Sequence, residues 1–193
     1  MAALSFEESV RVLHRYQRVE ARLFEILGGW VQIEPDPEVR RVFAVQAHHH
    51  GWHAQLWQER LPSARGAAPE VPDVVAPALE AFLEELARPV APDSGLERLV
   101  GVFRVMLPHT ITTYRRHLAV TSPVADGPVI RALRLALRDD LDDWQEGEAL
   151  IQARVCSHDA PRRSAEWQAR LEAHLVDAGG VAGSAFGDDT SRS

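Results

Sequence analysis

The sequence predicts an all-α protein: an antiparallel four-helix bundle with one long crossover and a short C-terminal tail. Three observations predict it. Four long segments repeat apolar residues at the helical period, and none shows strand alternation. Their connections run short, long, short, which makes two antiparallel pairs joined by a crossover. The 193 residues, 46% hydrophobic and 25% charged, suffice for a sizeable core without metal or disulfide staples.

The first helix is expected over about Ser5 to Gln32. Ser5 is the N-cap and Glu8, three residues on, completes a capping box. Val10, Leu13, Tyr16, Leu23, Phe24, Leu27 and Trp30 form its apolar face, with Arg11, Arg15, Arg18 and Arg22 opposite. Asp36 caps the second helix and Pro37 takes its first position. That helix runs to about Arg60, where Leu61-Pro62 stops it. Residues 62–78, rich in Pro, Ala and Gly, read as a connection, followed by a short helix from Ala78 to Arg88. The third long helix spans about Asp93 to Leu118, with a kink expected at Pro108. Thr121 to Pro128 forms a turn, and the fourth long helix covers about Val129 to Val155. Residues 1–157 thus make the bundle. Residues 158–193 add a short helix to about Val176 and a small, polar, disordered tail from Gly179 that contributes nothing to the core.

Composition excludes several functions. All 21 basic residues are arginine and the net charge is −7, which argues against nucleic-acid binding through a broad basic surface. No apolar run reaches the roughly 18–20 residues of a membrane span. The first eight residues already carry Glu7 and Glu8, unlike a signal peptide. The single cysteine, Cys156, fits a reducing cytoplasm and reads as a spectator. No Gly-x-Ser-x-Gly elbow, Walker loop or dinucleotide fingerprint is present.

What distinguishes the sequence is polarity in the bundle seam. Glu20 is flanked at helical spacing by Leu13, Tyr16, Leu23, Phe24 and Leu27, so its carboxylate falls in the centre of an apolar face. Helix two carries His48-His49-His50-Gly51-Trp52-His53, with His50 and His53 neighbours on its inner side. Counting back through the turn puts Glu20 level with them. On helix four, Asp140 and Asp143 interrupt the stripe Leu133, Leu137, Trp144 and Ile151. Counting through the turn near residue 124 puts Asp140 level with about residue 108 on helix three, beside His109. Imidazole with carboxylate suits Fe(II), Mn(II), Zn or Co, and an excess of histidine favours one held ion over a bridged pair.

Residues 5 to 156 resemble the ferritin-like superfamily of carboxylate-bridged di-iron bundles. Members carry a glutamate on helix one, Glu-x-x-His on helix two, a glutamate on helix three and Glu-x-x-His on helix four. Glu20 matches the first glutamate. His50-x-x-His53 stands where the first pair belongs, His109 near the third helix's glutamate, and Asp140-x-x-Asp143 where the second pair belongs. The resemblance implies a metal centre built from Glu20, His50, His53, His109, Asp140 and Asp143. It also implies an oxidase-like, oxygenase-like or hydrolytic reaction on a small-molecule substrate, in a cytoplasmic homodimer.

Each residue also has a plainer reading. Glu20 can pair with Arg104 or Arg134, or bond to Tyr114; the histidine run can be a solvated patch; Asp140 and Asp143 can belong to a surface acidic run with Asp139, Asp142 and Glu146; His109 can cap the gap beside Pro108. Trp30, Trp52, Trp57 and Trp144 read as core anchors. Two alternatives therefore stay open: a metal-free scaffold or interaction protein, and a DinB-like single-metal bundle, whose late paired histidines helix four lacks.

Overall fold

The computed structural model describes residues 4–62, 77–122, 124, 126–155 and 159–186. Among them the protein is helical, with no strand. Helix α1 (Phe6–Ile33) opens on the expected capping box, in which Ser5 and Glu8 each accept from the other's backbone N–H. Helix α2 (Pro37–Gln58) starts with the Asp36 side chain accepting from the N–H groups of Glu38 and Val39. Helix α3 (Pro77–Ala87) follows the connection, of which residues 63–76 lie outside the described ones.

Pro108 does not break the third long helix. The path runs through α4 (Gly95–Val100), a π-helical stretch (Gly101–Met106) and α5 (Leu107–Val120). A proline at 108 has no N–H to give to the carbonyl four residues back, and its ring crowds that carbonyl. The π turn just before it relieves both, and Leu107 N–H reaches back to Val102 O. Helix α6 (Gly127–Arg154) and α7 (Ala160–Asp177) complete the set. Among the described residues no helix is long and apolar enough to cross a membrane.

Helices α1 and α2 form a hairpin, and α6 lies against α2. Pairs between these two rise on α2 as they fall on α6, from Asp36–Arg154 through Arg41–Glu146 and His49–Asp143 to His53–Asp139, so they are antiparallel. Helix α5 packs on α6, and Phe103 of the π stretch sits in a notch at Gly147, whose Cβ would lie 2.1 Å from the ring. Helix α7 covers α3, α4 and the π stretch. A buried Arg98–Glu34 pair at 2.9 Å ties the α1–α2 turn to the start of α4. Arg98 also donates to the carbonyls of Pro89 and Pro92, although its Nε has no hydrogen-bond partner among the described residues.

Two expectations are corrected. Trp30 and Trp57 are core residues, but Trp52 and Trp144 sit at the surface, 37% and 36% exposed. The tail from Gly179 does not stand apart from the core: Ala178, Val181 and Ala182 are buried in it. Arg15 donates to the carbonyls of Val181 and Gly180 at 2.8 and 3.0 Å. Gly179, Gly180 and Gly183 take φ values of 67°, 71° and 63°, which let the chain fold back onto α1. The expected disorder of residues 187–193 and the spectator role of Cys156 lie outside the described residues.

Candidate metal centre

Four helices send side chains to one buried polar centre. From α1, Glu20 is 1% exposed; from α2, His50 and His53 are 1% and 0% exposed. His50 Nδ1 lies 2.6 Å from Glu20 Oε2, and His53 Nδ1 lies 3.7 Å from the same oxygen. From α5, the Tyr114 hydroxyl donates to Glu20 Oε1 at 2.6 Å and accepts from Trp57 Nε1 at 3.2 Å. Glu20, His50 and His53 each offer one ligand atom, and these atoms lie within 4.8 Å of one another. This group can hold a metal ion.

Helix α6 supplies Asp140, fully buried, with Oδ1 3.9 Å from His53 Nδ1. Neither oxygen of Asp140 has a hydrogen-bond partner among the described residues. His50 Nε2 and His53 Nδ1 are likewise buried without one. Further out, His53 Nε2 meets Asp139 Oδ2 at 3.2 Å, and His49 Nδ1 meets Asp143 Oδ2 at 2.7 Å. His53 therefore shows one nitrogen to Glu20 and Asp140 and the other to Asp139.

The electrostatics follow from this placement. Burial opposes charge on His53, but the bond to Asp139 and the Glu20 carboxylate outweigh it and raise its pKa to about 10. Burial also opposes charge on Glu20, and the adjacent His50 and His53 overcome it, holding the carboxyl well below its ordinary value. Asp140 goes the other way. Burial first, then the Glu20 charge, push it well above the ordinary carboxylate range. Burial raises Asp143 too, with His49 opposing.

Of the residues singled out in the sequence, the structure brings Glu20, His50, His53 and Asp140 together. Asp143 stands one step outward on His49. His109 does not join them: its Nε2 accepts from Val181 N–H at 3.1 Å, so it fastens the C-terminal segment to α5. Arg104 is engaged by Glu148 at 2.7 and 2.9 Å and Arg134 is exposed, so the arginine partner weighed for Glu20 gives way to Tyr114 and two imidazoles. Sequence reasoning missed Asp139 and His49 as partners of the centre, although both stand beside residues it chose. It also missed Gln46, one turn before His50, whose buried amide has no hydrogen-bond partner among the described residues.

An ion at Glu20, His50 and His53 would have mixed imidazole and carboxylate ligands, a donor set suited to divalent first-row metals rather than calcium. No protein-family model, curated protein or solved structure matches the chain.

Proposed function

We propose that this chain binds one divalent transition-metal ion at Glu20, His50, His53 and Asp140, in a ferritin-like arrangement of α1, α2, α5 and α6. The observation that carries the reading is Asp140: a fully buried carboxylate with no hydrogen-bond partner on either oxygen among the described residues, 3.9 Å from His53 Nδ1, which is buried in the same condition. Groups of this kind cost several kcal/mol each when left unpaired, and an ion between them supplies the missing partner. The order of long helices and the position of Glu20 support the ferritin-like part. The two Glu-x-x-His positions, here His-x-x-His and Asp-x-x-Asp, favour one ion over a bridged pair.

These residues fit Fe(II), Mn(II), Co(II) or Zn(II). When bound, such an ion supplies Lewis acidity and, for iron or manganese, one-electron chemistry. The chain's own contribution is positional. Tyr114 holds one oxygen of Glu20, and Asp139 holds His53 by its outer nitrogen, leaving Nδ1 to face the centre. With ligand side chains at most 1% exposed, reactants the size of water or dioxygen are favoured over bulky substrates.

A metal-free scaffold is the second reading, and one observation favours it: both oxygens of Glu20 already have partners, His50 and Tyr114. Thermal melting separates the two. Stripped protein given Fe(II), Mn(II), Co(II) or Zn(II) should melt higher, with about 2.7 kcal/mol of added stability at 100 times Kd. An unchanged melting curve with all four ions leaves the scaffold reading standing.

A further inference from the structure

The inner ligands are sealed from solvent, so an ion must reach them between helices. Aromatic rings sit in three of the seams. Tyr16, Trp57 and Tyr114 pack together at centroid distances of 4.9–5.4 Å between α1, α2 and α5. Phe24 covers the α1–α2 seam, its ring 3.1 Å from where a Cβ on Gly51 would stand. Phe103 fills the Gly147 notch between α6 and the π stretch. The α2–α6 seam differs, because its side chains are metal-ligating and grade from solvent inward. His49 and Asp139 are each 27% exposed, Asp143 is 6%, and His53 and Asp140 are fully buried.

Two imidazole–carboxylate pairs stand side by side there. The His49 and His53 rings stack at 6.4 Å with a 22° interplanar angle, each with an aspartate on it. His53 belongs to both the outer pairs and the inner centre, with one nitrogen on Asp139 and the other facing Glu20. Of the nearby arginines, Arg41 is engaged by Glu146, and Arg138 acts on Asp139 only as a neighbouring charge.

We propose that the α2–α6 seam is a loading site for divalent transition-metal ions. His49, Asp143 and Asp139 take the ion first, and His53 passes it to Glu20, His50 and Asp140. This rests on the metal reading above. The outer residues act on the path of the ion and leave its resting place alone, so they set rates in both directions and not the equilibrium.

Cobalt(II) makes the test visible. Its uptake by stripped protein is followed by d–d absorbance after rapid mixing, its release by mixing with excess EDTA, and its affinity by titration. His49→Gln and Asp143→Asn should each slow uptake by about ten-fold or more, as expected when a charged, ligating approach is removed. Release should slow by a similar factor, with Kd held within about three-fold. Glu20→Gln should do the reverse and remove the inner spectrum. Uptake rates in both outer variants equal to wild type overturn the loading site alone. A Kd weakened by as much as the uptake rate also overturns it, by making these residues ligands of the resting ion. A wild-type protein with no cobalt spectrum overturns the metal reading and the loading site together.

Discussion

Asp140 and Glu20 are two carboxylates a few ångströms from one imidazole, and the fold treats them oppositely. Glu20 has two imidazoles and a phenol on it, which hold its carboxyl well below the ordinary range; Asp140 has only a distant approach to His53, and burial pushes its carboxyl well above that range. Asp140→Asn keeps the shape and removes a charge that burial disfavours, so the metal-free protein should melt almost unchanged, while cobalt affinity falls about ten-fold or more through loss of a ligand. An equal loss of stability and affinity would make Asp140 a structural residue. His53 gives a pH signature. Its folded pKa of about 10 lies above the ordinary histidine value of 6.5, so its contribution to stability is complete below about 6.5 and is lost as pH rises towards 10. Asp140, also raised on folding, acts in the same direction. Metal-free protein should therefore lose denaturant resistance across that window, and cobalt should bind more tightly as His53 gives up its proton. A flat stability profile would contradict the His53–Glu20–Asp139 arrangement. Glu20, His50 and His53 were legible because an uninterrupted α-helical count through one short turn puts them level. His109 was placed level with Asp140 by counting through the turn near residue 124, but level along a helix does not fix which way a side chain faces. Tyr114 is five residues further along α5, about 140° around the helix, so with Tyr114 on Glu20, His109 faces the C-terminal segment.

Element boundaries were legible because the sequence carries strong stop and start signals: Ser5 with Glu8, Asp36 with Pro37, and Pro128 in the first turn of α6 each stand at or beside the observed helix start. The π stretch had no such signal beyond Pro108, since its cause is a missing hydrogen bond one turn away. Glycines distinguish tight from open packing at this scale. Gly147→Ala would put a Cβ 2.1 Å from the fully buried Phe103 ring, and the forced shift should cost about 1–3 kcal/mol. Gly28, within α1, has nothing within 4 Å of its Cβ position, and Gly28→Ala should stabilise by up to about 1 kcal/mol through helix propensity. Urea unfolding measures both; the same sign for the two would contradict the close approach of α6 to the π stretch.

The all-α class was legible across the whole molecule, because period and connection lengths are local signals. The docked C-terminal segment was not, because three left-handed glycines and one arginine reaching two carbonyls leave no periodic trace. Truncation after Asp177 removes buried Ala178, Val181 and Ala182 together with the Arg15 and His109 bonds. It should destabilise the protein by about 2–4 kcal/mol, from one large apolar side chain and a few hydrogen bonds. Unchanged melting would mean that this segment does not dock in solution. At the same scale the four long helices converge on a single polar centre, and the account stands on what that centre holds. Elemental analysis of protein purified without a histidine tag and dialysed free of loose ions tests this most directly. The account predicts about one equivalent of iron, manganese, cobalt or zinc per chain in the wild type and less than about a tenth of that in Glu20→Gln, with the same helical circular dichroism. Equal metal content in the two proteins, or a wild type that stays metal-free after exposure to all four ions, would contradict it.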